Sequence, residues 1–450
     1  MISRRDFLAS LSAAWAARRL GAPVTFDRPV PTSSQLDWQR DELAMFAHFG
    51  VNTFTNREWG DGREDPSIFA PAALDPRQWT RAAREAGFRA MILTAKHHDG
   101  FCLWPTSTST HSVASAGAAV RTRDVVREFT DACRAEGLRA GLYLSPWDRN
   151  HPTYGDSPAY NDVYVAQLTE LLSRYGTISE VWFDGANGEG PNGKRQQYDW
   201  PRFIGTVRRL QPDAVMFSDA GPDVRWCGNE RGEAGDPNWS TMDPSAVPYP
   251  GADGPGIIAA LQHGDPAGNV WRPAETDVSI RPGWFHHPEE DARVRDADNL
   301  LRLYAQSVGR NSKLLLNVPP TRDGVLHPND VASLNAFARL RAASFDTKRI
   351  HPREEVVSVP RRTMRVEQRF TRPTEVRAIR ASEDIAHGQN VSRYSVSGLT
   401  KTGWRELSAG TTIGYAKIDQ LDPVLLTAIR LDVLDTVGAP RGVKLESFQA

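Results

Sequence analysis

Three times between Asp75 and Asp184 an amphipathic helix runs directly into a short apolar strand, and each boundary carries its own stop signal. Asp75-Pro76 caps and begins a helix whose apolar stripe includes Trp79, Ala82, Ala83 and Ala86; Gly87 ends it, and Phe88 to Thr94 reads as a buried strand. Thr122 is placed to cap the next helix, with Val125, Val126, Phe129 and Cys133 on one face, Gly137 as its stop and Leu138 to Ser145 as its strand. Ser157-Pro158 opens a third, with Tyr164, Leu168, Leu171, Leu172 and Tyr175 along the core face and Gly176 after it. Its strand is Glu180 to Asp184. Strands joined through helices in this way run parallel, because parallel neighbours need a crossover connection.

The same texture continues on both sides. Leu43 to Phe54 reads as a first strand, Ala214 to Phe217 and Lys313 to Asn317 as later ones, and Ala297, Leu300, Leu301 and Tyr304 recur at helical spacing before Gly309. No GxGxxG follows the first strand, and polar candidates recur just after strand ends. An α/β chain closed into a (β/α)8-like barrel fits this better than an open nucleotide-binding sheet. At 450 residues the chain exceeds what one core usually organises, so a second, smaller domain is expected. From about Ile350 the pattern becomes period two: Met364 and Val366, Tyr394 and Val396, and Ile429, Leu431 and Val433 alternate with polar residues between turn clusters. The expected organisation is a barrel over 35–345, closed by a helix around Pro328 to Ala343, and a C-terminal antiparallel β-sandwich over 350–450. Long loops between Gly185 and Trp200, and between Gly232 and Ile257, are better suited to shaping a pocket on the barrel's catalytic face than to disordered insertions.

Composition narrows the partners. Fifty-four Lys and Arg against 55 Asp and Glu give a formal charge of -1, with no basic block beside an aromatic run, which argues against nucleic acid. Cys102, Cys133 and Cys227 are too few and too scattered for a disulfide framework or a CxxC zinc site. Residues 1–22 look like a twin-arginine export signal: Ser3-Arg4-Arg5-Asp6-Phe7-Leu8 precedes a short Ala-rich stretch, and Ala14 and Ala16 permit cleavage near there. The competing reading is a basic amphipathic start to a cytosolic protein. Export to the periplasm or beyond is the expectation. No run of about 18 apolar residues occurs elsewhere, so no membrane span is expected.

The segment Glu180 to Gly185 delivers one carboxylate, Asp184, into a glycine turn, with Trp182 on the same face of the strand. Taken alone, an Asp that ends a strand and caps a turn is the simpler account. A sugar-cleaving enzyme that retains configuration needs two carboxyl groups, one ionised to attack and one protonated to donate. Glu230, in Arg225-Trp226-Cys227-Gly228-Asn229-Glu230, is the second candidate, with Trp226 and Cys227 near enough in sequence to desolvate it and raise its pKa. A solvated loop carboxylate paired with Arg231 is the alternative. His48 lies near the carboxyl end of the first strand, and Glu58 and Trp59 follow in Thr53 to Gly60. His97 and His98 end the second strand; both reach one pocket only if the backbone turns, which Gly100 permits. No Asp-x-His, His-x-His or His-x-x-x-His spacing accompanies them, so neither a metal nor a cofactor is expected.

Together these strings resemble the α-L-fucosidases of glycoside hydrolase family 29: MFAHFG, TFTNREWG, AKHHDGF, EVWFDG and LLLNVPP occur in the family's order, over roughly Leu43 to Val325. The resemblance implies a retaining exo-α-L-fucosidase acting on a fucosylated oligosaccharide or glycoconjugate. It makes Asp184 the nucleophile and places His48, Glu58, Trp59, His97, His98 and Trp182 around terminal L-fucose. RWCGNERG at Arg225 to Gly232 and WRPAETDVSIRPGWF at Trp271 to Phe285 are similar to the branch that favours α-1,3 and α-1,4 linkages. In that branch the first string's Glu, here Glu230, is the acid/base, and Trp284 also touches the sugar. Cys227 departs from the aliphatic residue expected beside the acid. Leu144 stands where some relatives carry a sugar-contacting Tyr, so no contact is assigned on that strand. DIAHGQNVSRY and GTTIGYAKI resemble the family's second domain. The rival readings are a retaining glycosidase for another sugar and a carbohydrate-binding protein on an inactive barrel; the presence of both carboxylates discriminates against the latter.

Overall fold

The structure is a computed structural model that describes residues 28–359 and 364–449; the segment read as an export signal lies outside them. Eight parallel strands form one sheet. They are β1 (Leu43–Ala47), β2 (Ala90–Lys96), β3 (Arg139–Leu144), β4 (Glu180–Trp182), β5 (Val215–Phe217), β6 (Arg225–Trp226), then, after a small antiparallel pair β7 (Thr241–Met242) and β8 (Val270–Trp271), β9 (Ala274–Ser279) and β10 (Ser312–Asn317). Their order is β5-β4-β3-β2-β1-β10-β9-β6, and a parallel bridge between Phe217 and Val224 links the two outer strands. The sheet is thus a nearly closed barrel, as the helix-strand alternation predicts. Closure is weakest between β5 and β6, where the 218–224 loop replaces a helix and is too short for a full crossover.

The helices follow the sequence pattern with local corrections. Asp75 caps Pro76–Glu85 by accepting from the Arg77 N–H, and Gly87 leaves that helix at φ 87°. The second helix, Val125–Glu136, is capped by Asp124 rather than Thr122. Asp124 directly precedes the apolar pair Val125-Val126, its carboxylate accepts from the Arg127 N–H, and a negative charge suits that helix end. The third runs Ser157–Arg174 with Asp156 in the capping position. The first strand stops at Ala47, not Phe54: Gly50 breaks the extended run, Val51–Thr55 winds into a short helix, and Asn56 ends it in the left-handed region at φ 58°. Strand propensity of Val and Thr is overridden there by that glycine and by an asparagine that tolerates positive φ.

Alternation along the strands sorts side chains into barrel interior and helix-facing layers. Going up the interior, β4 presents Glu180 and Trp182 and then Asp184 just beyond its end; β9 presents Glu275, Asp277 and Ser279; β10 presents Lys313, Leu315 and Asn317; β1 presents Ala44 and Phe46 and then His48. Phe46, Tyr143, Trp182, Phe217 and Leu315 pack as one apolar cluster, closed below by Trp38 from the helix Ser33–Arg40. The larger core lies outside, between strands and helices.

Beyond the barrel, β11 (Glu354–Ser358), β12 (Arg365–Ser382), β13 (Val391–Thr400), β14 (Gly403–Gly410), β15 (Lys417–Thr436) and β16 (Lys444–Gln449) form one continuous six-stranded antiparallel sheet that makes up the β-sandwich unit. The long strands β12 and β15 change register twice, which lets them bend around a core of Val366, Ile379, Tyr394, Val396, Ile429, Leu431 and Val433. This unit docks at the amino-terminal end of the barrel strands. Arg380 pairs with Glu42 at 2.6 Å, and the Tyr415 N–H donates to Asn311 at 2.8 Å. It therefore sits away from the strands' carboxyl ends.

Candidate active site

The carboxyl ends of the barrel strands open into a cleft of about 560 Å³. All nine residues singled out from sequence line it: His48, Glu58, Trp59, His97, His98, Trp182, Asp184, Glu230 and Trp284. Phe46, Tyr143, Asp219, Trp226 and Asp277 line it as well.

Asp184 stands one residue past Phe183, whose N–H still bonds to the Phe217 carbonyl, so β4's ladder aims the carboxylate. Its Oδ1 accepts from the Ala186 N–H at 2.7 Å and its Oδ2 from the Tyr143 hydroxyl at 2.9 Å. The turn cap suggested by sequence is therefore real, and it uses only one oxygen. The side chain keeps 25% exposure, which leaves the carboxylate reachable from the cleft. Tyr143 is the donor that sequence reasoning missed: it sits on β3 beside Leu144, and only the interior-facing phase of the strand brings it to Asp184.

Three histidines surround this carboxylate in neutral form, because burial disfavours their cations. His48 is held down to about 3. Its backbone N–H and Nδ1 both face Asn317 Oδ1, at 3.3 and 2.8 Å, while Asn317 Nδ2 donates to Ser279 Oγ and to the Trp284 carbonyl. That arrangement assigns the proton to Nδ1 and leaves Nε2 as an acceptor. His98 is lowered by burial, with Asp184 opposing the shift. Its Nδ1 lies 2.7 Å from Ser145 Oγ, which spends its own proton on the Trp147 carbonyl; Nε2 is therefore the acceptor, 3.8 Å from Asp184 Oδ2. His97, lowered well below the usual value by burial, stacks on Tyr143 and packs against His98 with ring centres 4.1 Å apart. Both rings share the cleft because β2 ends at Lys96 and the chain turns, Gly100 adopting φ 83° and its N–H bonding back to the His97 carbonyl.

Glu58 and Trp284 are fixed by each other's segments. Glu58 accepts from the backbone N–H groups of Trp284 at 2.8 Å and Phe285 at 3.1 Å, and its Oε1 lies 2.6 Å from His287 Nε2. His287 is in turn 2.9 Å from the Asn56 side chain. Trp59, by contrast, is 59% exposed and meets Trp147 and His98 edge-on at the rim. Trp182 forms the floor, stacked on Phe217 at 3.9 Å between ring centres and 10° between planes.

Glu230 reaches the same cleft from the loop after β6. Arg231 does not neutralise it; its nearest carboxylate is Glu233 at 3.9 Å. Burial raises the Glu230 pKa, with the Asp184 and Glu58 charges acting in the same direction and a hydrogen bond from Trp284 opposing them. Of the two neighbours expected to desolvate it, Trp226 lines the cleft, whereas Cys227 is buried and turns its thiol to the Asn229 carbonyl. Burial pushes that thiol up to about 12. The β6 register is locked because the Cys227 N–H bonds to the Glu275 carbonyl and Trp226 Nε1 donates to Asp277 Oδ1 at 2.8 Å. Arg225 is buried and gives its guanidinium to Asn238 and to the Leu261 and Arg272 carbonyls. Asp219 accepts from the Gly251 N–H and is pushed up to about 6 by burial and by Asp184. Asp219, two residues past β5, and Asp277, inside β9, are lone acids with no local pattern to mark them in the sequence. Among the described residues no group of three or more His, Cys, Asp or Glu side chains is arranged to hold a metal ion.

The cleft therefore combines an ionisable carboxylate with two fixed donors, a second carboxyl biased toward its protonated form, and neutral imidazoles that accept from hydroxyl groups. Comparison with known proteins points the same way. The family described as alpha-L-fucosidase matches residues 32–340. The alpha-L-fucosidase 1 of Arabidopsis thaliana is 47% identical over 317 residues, covering 70% of this chain and 61% of its own. A solved glycoside hydrolase 29 family member from an unknown rumen bacterium superposes with a TM-score of 0.87 at 39% identity, over 94% of this chain and 78% of that one. A Ruminococcus gnavus GH29 fucosidase solved in complex with fucose gives 0.82 at 27% identity, over 96% of both chains.

Proposed function

The chain belongs to the alpha-L-fucosidase family, glycoside hydrolase family 29, and on that premise we propose that it is a retaining exo-α-L-fucosidase releasing terminal α-1,3- or α-1,4-linked L-fucose from glycans. Asp184 attacks the anomeric carbon while Glu230 gives its proton to the leaving oxygen, so the glycosidic bond breaks as a fucosyl ester forms on Asp184. Glu230, now a carboxylate, takes a proton from water; the water oxygen bonds to the anomeric carbon, Asp184 leaves, and both carboxyl groups return to their starting states. Before attack the Tyr143 hydroxyl and the Ala186 N–H orient Asp184. The acceptor nitrogens of His48 and His98, with His97 beside them, receive sugar hydroxyl protons. Trp182 and Trp59 supply the apolar surface for the C5 methyl face, and Trp284 closes the side next to Glu230.

The single observation that carries this reading is the pairing of Asp184, donor-held and open to the cleft, with Glu230, whose protonated form is favoured by burial and by the Asp184 charge. The linkage preference is supported by the string around Glu230 and by Trp271 to Phe285. The twin-arginine-type start supports export of the folded enzyme, with 35–345 as the catalytic unit and 350–450 as a separate sandwich; fractionation of cells expressing the full chain checks the first point. The decisive experiment follows hydrolysis by proton NMR on oligosaccharides that differ only in α-1,2, α-1,3, α-1,4 or α-1,6 linkage. α-L-Fucose appearing first, from the α-1,3 and α-1,4 substrates, is expected. β-L-Fucose as first product overturns retention, and equal rates on all four overturn the linkage assignment.

A further inference from the structure

The barrel interior holds a second pair of carboxyl groups that the proposed reaction does not use. Glu180 and Glu275 are 1% and 0% exposed, one layer below the cleft floor. Glu180 Oε2 accepts from Trp38 Nε1 at 3.0 Å and from Lys313 Nζ at 3.3 Å, and Glu275 Oε1 accepts from Trp182 Nε1 at 2.9 Å. The other two oxygens, Glu180 Oε1 and Glu275 Oε2, are buried with no donor. Orphaned oxygens on buried carboxylates are costly, and two carboxylates in contact resist double ionisation. The two groups lie within hydrogen-bonding reach of each other, so one proton between them satisfies both orphans at once. Charge closes too: two carboxyls with one proton carry one negative charge, opposite Lys313.

Charged groups face the pair from several elements. Lys313 stands opposite Glu275 in the β9-β10 register, and Trp226 opposite it in the β6-β9 register. Glu180 has the uncharged Gly141 and Val215 as register partners. Below it, a cavity of about 300 Å³ is lined by Trp38, Glu180 and Lys313 together with Asp37, Asp213 and the pair Asp41 and Arg139 at 2.8 Å, so these charges also face Glu180.

Trp182 is the link to function. Stacking on Phe217 and Tyr143 sets the plane of its indole but does not by itself fix where the N–H points within that plane. The bond to Glu275 fixes that direction. We propose that Glu275, sharing one proton with Glu180, is a positioning residue that sets the in-plane orientation of Trp182 beneath the bound sugar. This rests on the reading of the cleft as a fucose site. Burial and the Glu180 charge hold the Glu275 carboxyl well above the usual carboxylate range, which favours the protonated form of the pair.

Two variants of the full chain test it. Glu275→Gln keeps an acceptor for Trp182 and donates an amide N–H to Glu180 without needing a proton. Glu275→Leu removes the acceptor. Because the native state binds an extra proton, parental stability falls as pH rises above about 4.5 toward the raised folded-state pKa. Glu275→Gln is expected to flatten that fall in thermal midpoint between pH 5 and 8 while inhibition by free L-fucose stays within about twofold of the parent. Glu275→Leu is expected to weaken L-fucose inhibition about tenfold or more, a loss that glutamine rescues. An unchanged pH slope in Glu275→Gln overturns the shared proton. Parental L-fucose inhibition in Glu275→Leu overturns the positioning role. Should the leucine variant not fold, Glu275→Met, of similar length and without the carboxyl acceptor, takes its place: L-fucose inhibition unchanged from the parent overturns the role, and a comparable weakening supports it. If the parent itself is not inhibited by L-fucose, the fucose-site reading and the role of Trp182 fail together, while the pH slope still decides the shared proton.

Discussion

Two carboxyl groups leave the same strand on the same face, four residues apart, and meet opposite fates. Glu180 is sealed between Trp38, Lys313 and Glu275, while Asp184 keeps one quarter of its side chain exposed and takes its donors from Tyr143 and a backbone N–H. Each has a carboxyl counterpart from the other side of the barrel, Glu275 below and Glu230 above. The difference is access. In the upper layer a substrate can complete the coordination of the carboxyls, which is what chemistry requires; in the lower layer the protein must complete it by itself, and a proton and a lysine do so.

The comparison breaks most sharply on isosteric amides. Asp184→Asn is expected to lower kcat by about a thousandfold or more while circular dichroism and thermal unfolding stay near the parent, because only the nucleophile is lost. Activity within about tenfold of the parent would remove Asp184 from the reaction. Glu230→Ala should follow, slowing natural glycans by at least about a hundredfold and an activated aryl fucoside far less, since a good leaving group needs little protonation. Equal losses on both would argue against the acid role. Because Glu230 must enter protonated and its pKa is raised, the parent's kcat/KM on glycans should decline only as pH climbs through that raised value.

Smaller effects sharpen the picture. Tyr143→Phe removes one of two donors to a charged oxygen, for which about 1.5 to 3 kcal/mol, or roughly ten- to a hundredfold in kcat/KM, is the expected scale. A change below about threefold would make the tyrosine a packing residue. Asp219→Asn should have the least effect on structure, since an amide oxygen still accepts from Gly251. With its folded-state pKa near 6, Asp219 destabilises the fold progressively as pH rises from about 4 to 6. The asparagine variant should therefore gain in thermal midpoint over the parent across that window and hold a constant gain above it.

Legibility followed the range of the interactions. Helix starts at Asp75 and stops at Gly87 and Gly137 depend on neighbours within a few residues, and the sequence shows them directly. Thr122 reads as the cap of the second helix, but Asp124, directly before Val125, is the residue whose carboxylate meets the first helical N–H groups. Sequence extends the first strand to Phe54 because Val51 to Thr55 has strand-forming residues, whereas the glycine before it and the asparagine after it make it a short helix. Tyr143 escaped for a different reason: in Gly141-Leu142-Tyr143-Leu144 every residue is compatible with burial, so nothing local says which phase faces the barrel axis. Asn317, inside Leu314-Leu315-Leu316-Asn317-Val318, bonds to His48, Ser279 and the Trp284 carbonyl together, a role that no local pattern marks.

What the sequence determined by itself was periodic and local: parallel strands joined by helices, Trp182 and Asp184 on one face, a change of texture near Ile350. These follow from the 3.6- and 2-residue repeats and from caps, which need no distant partner. What the tertiary structure decided was convergence and protonation. Tyr143 reaches Asp184 across 41 residues and Trp182 reaches Glu275 across 93, and the histidines become neutral only because the nearly closed barrel and its loops remove them from water. Burial and long-range pairing set pKa values and orientation, and neither is written in any short stretch of the chain.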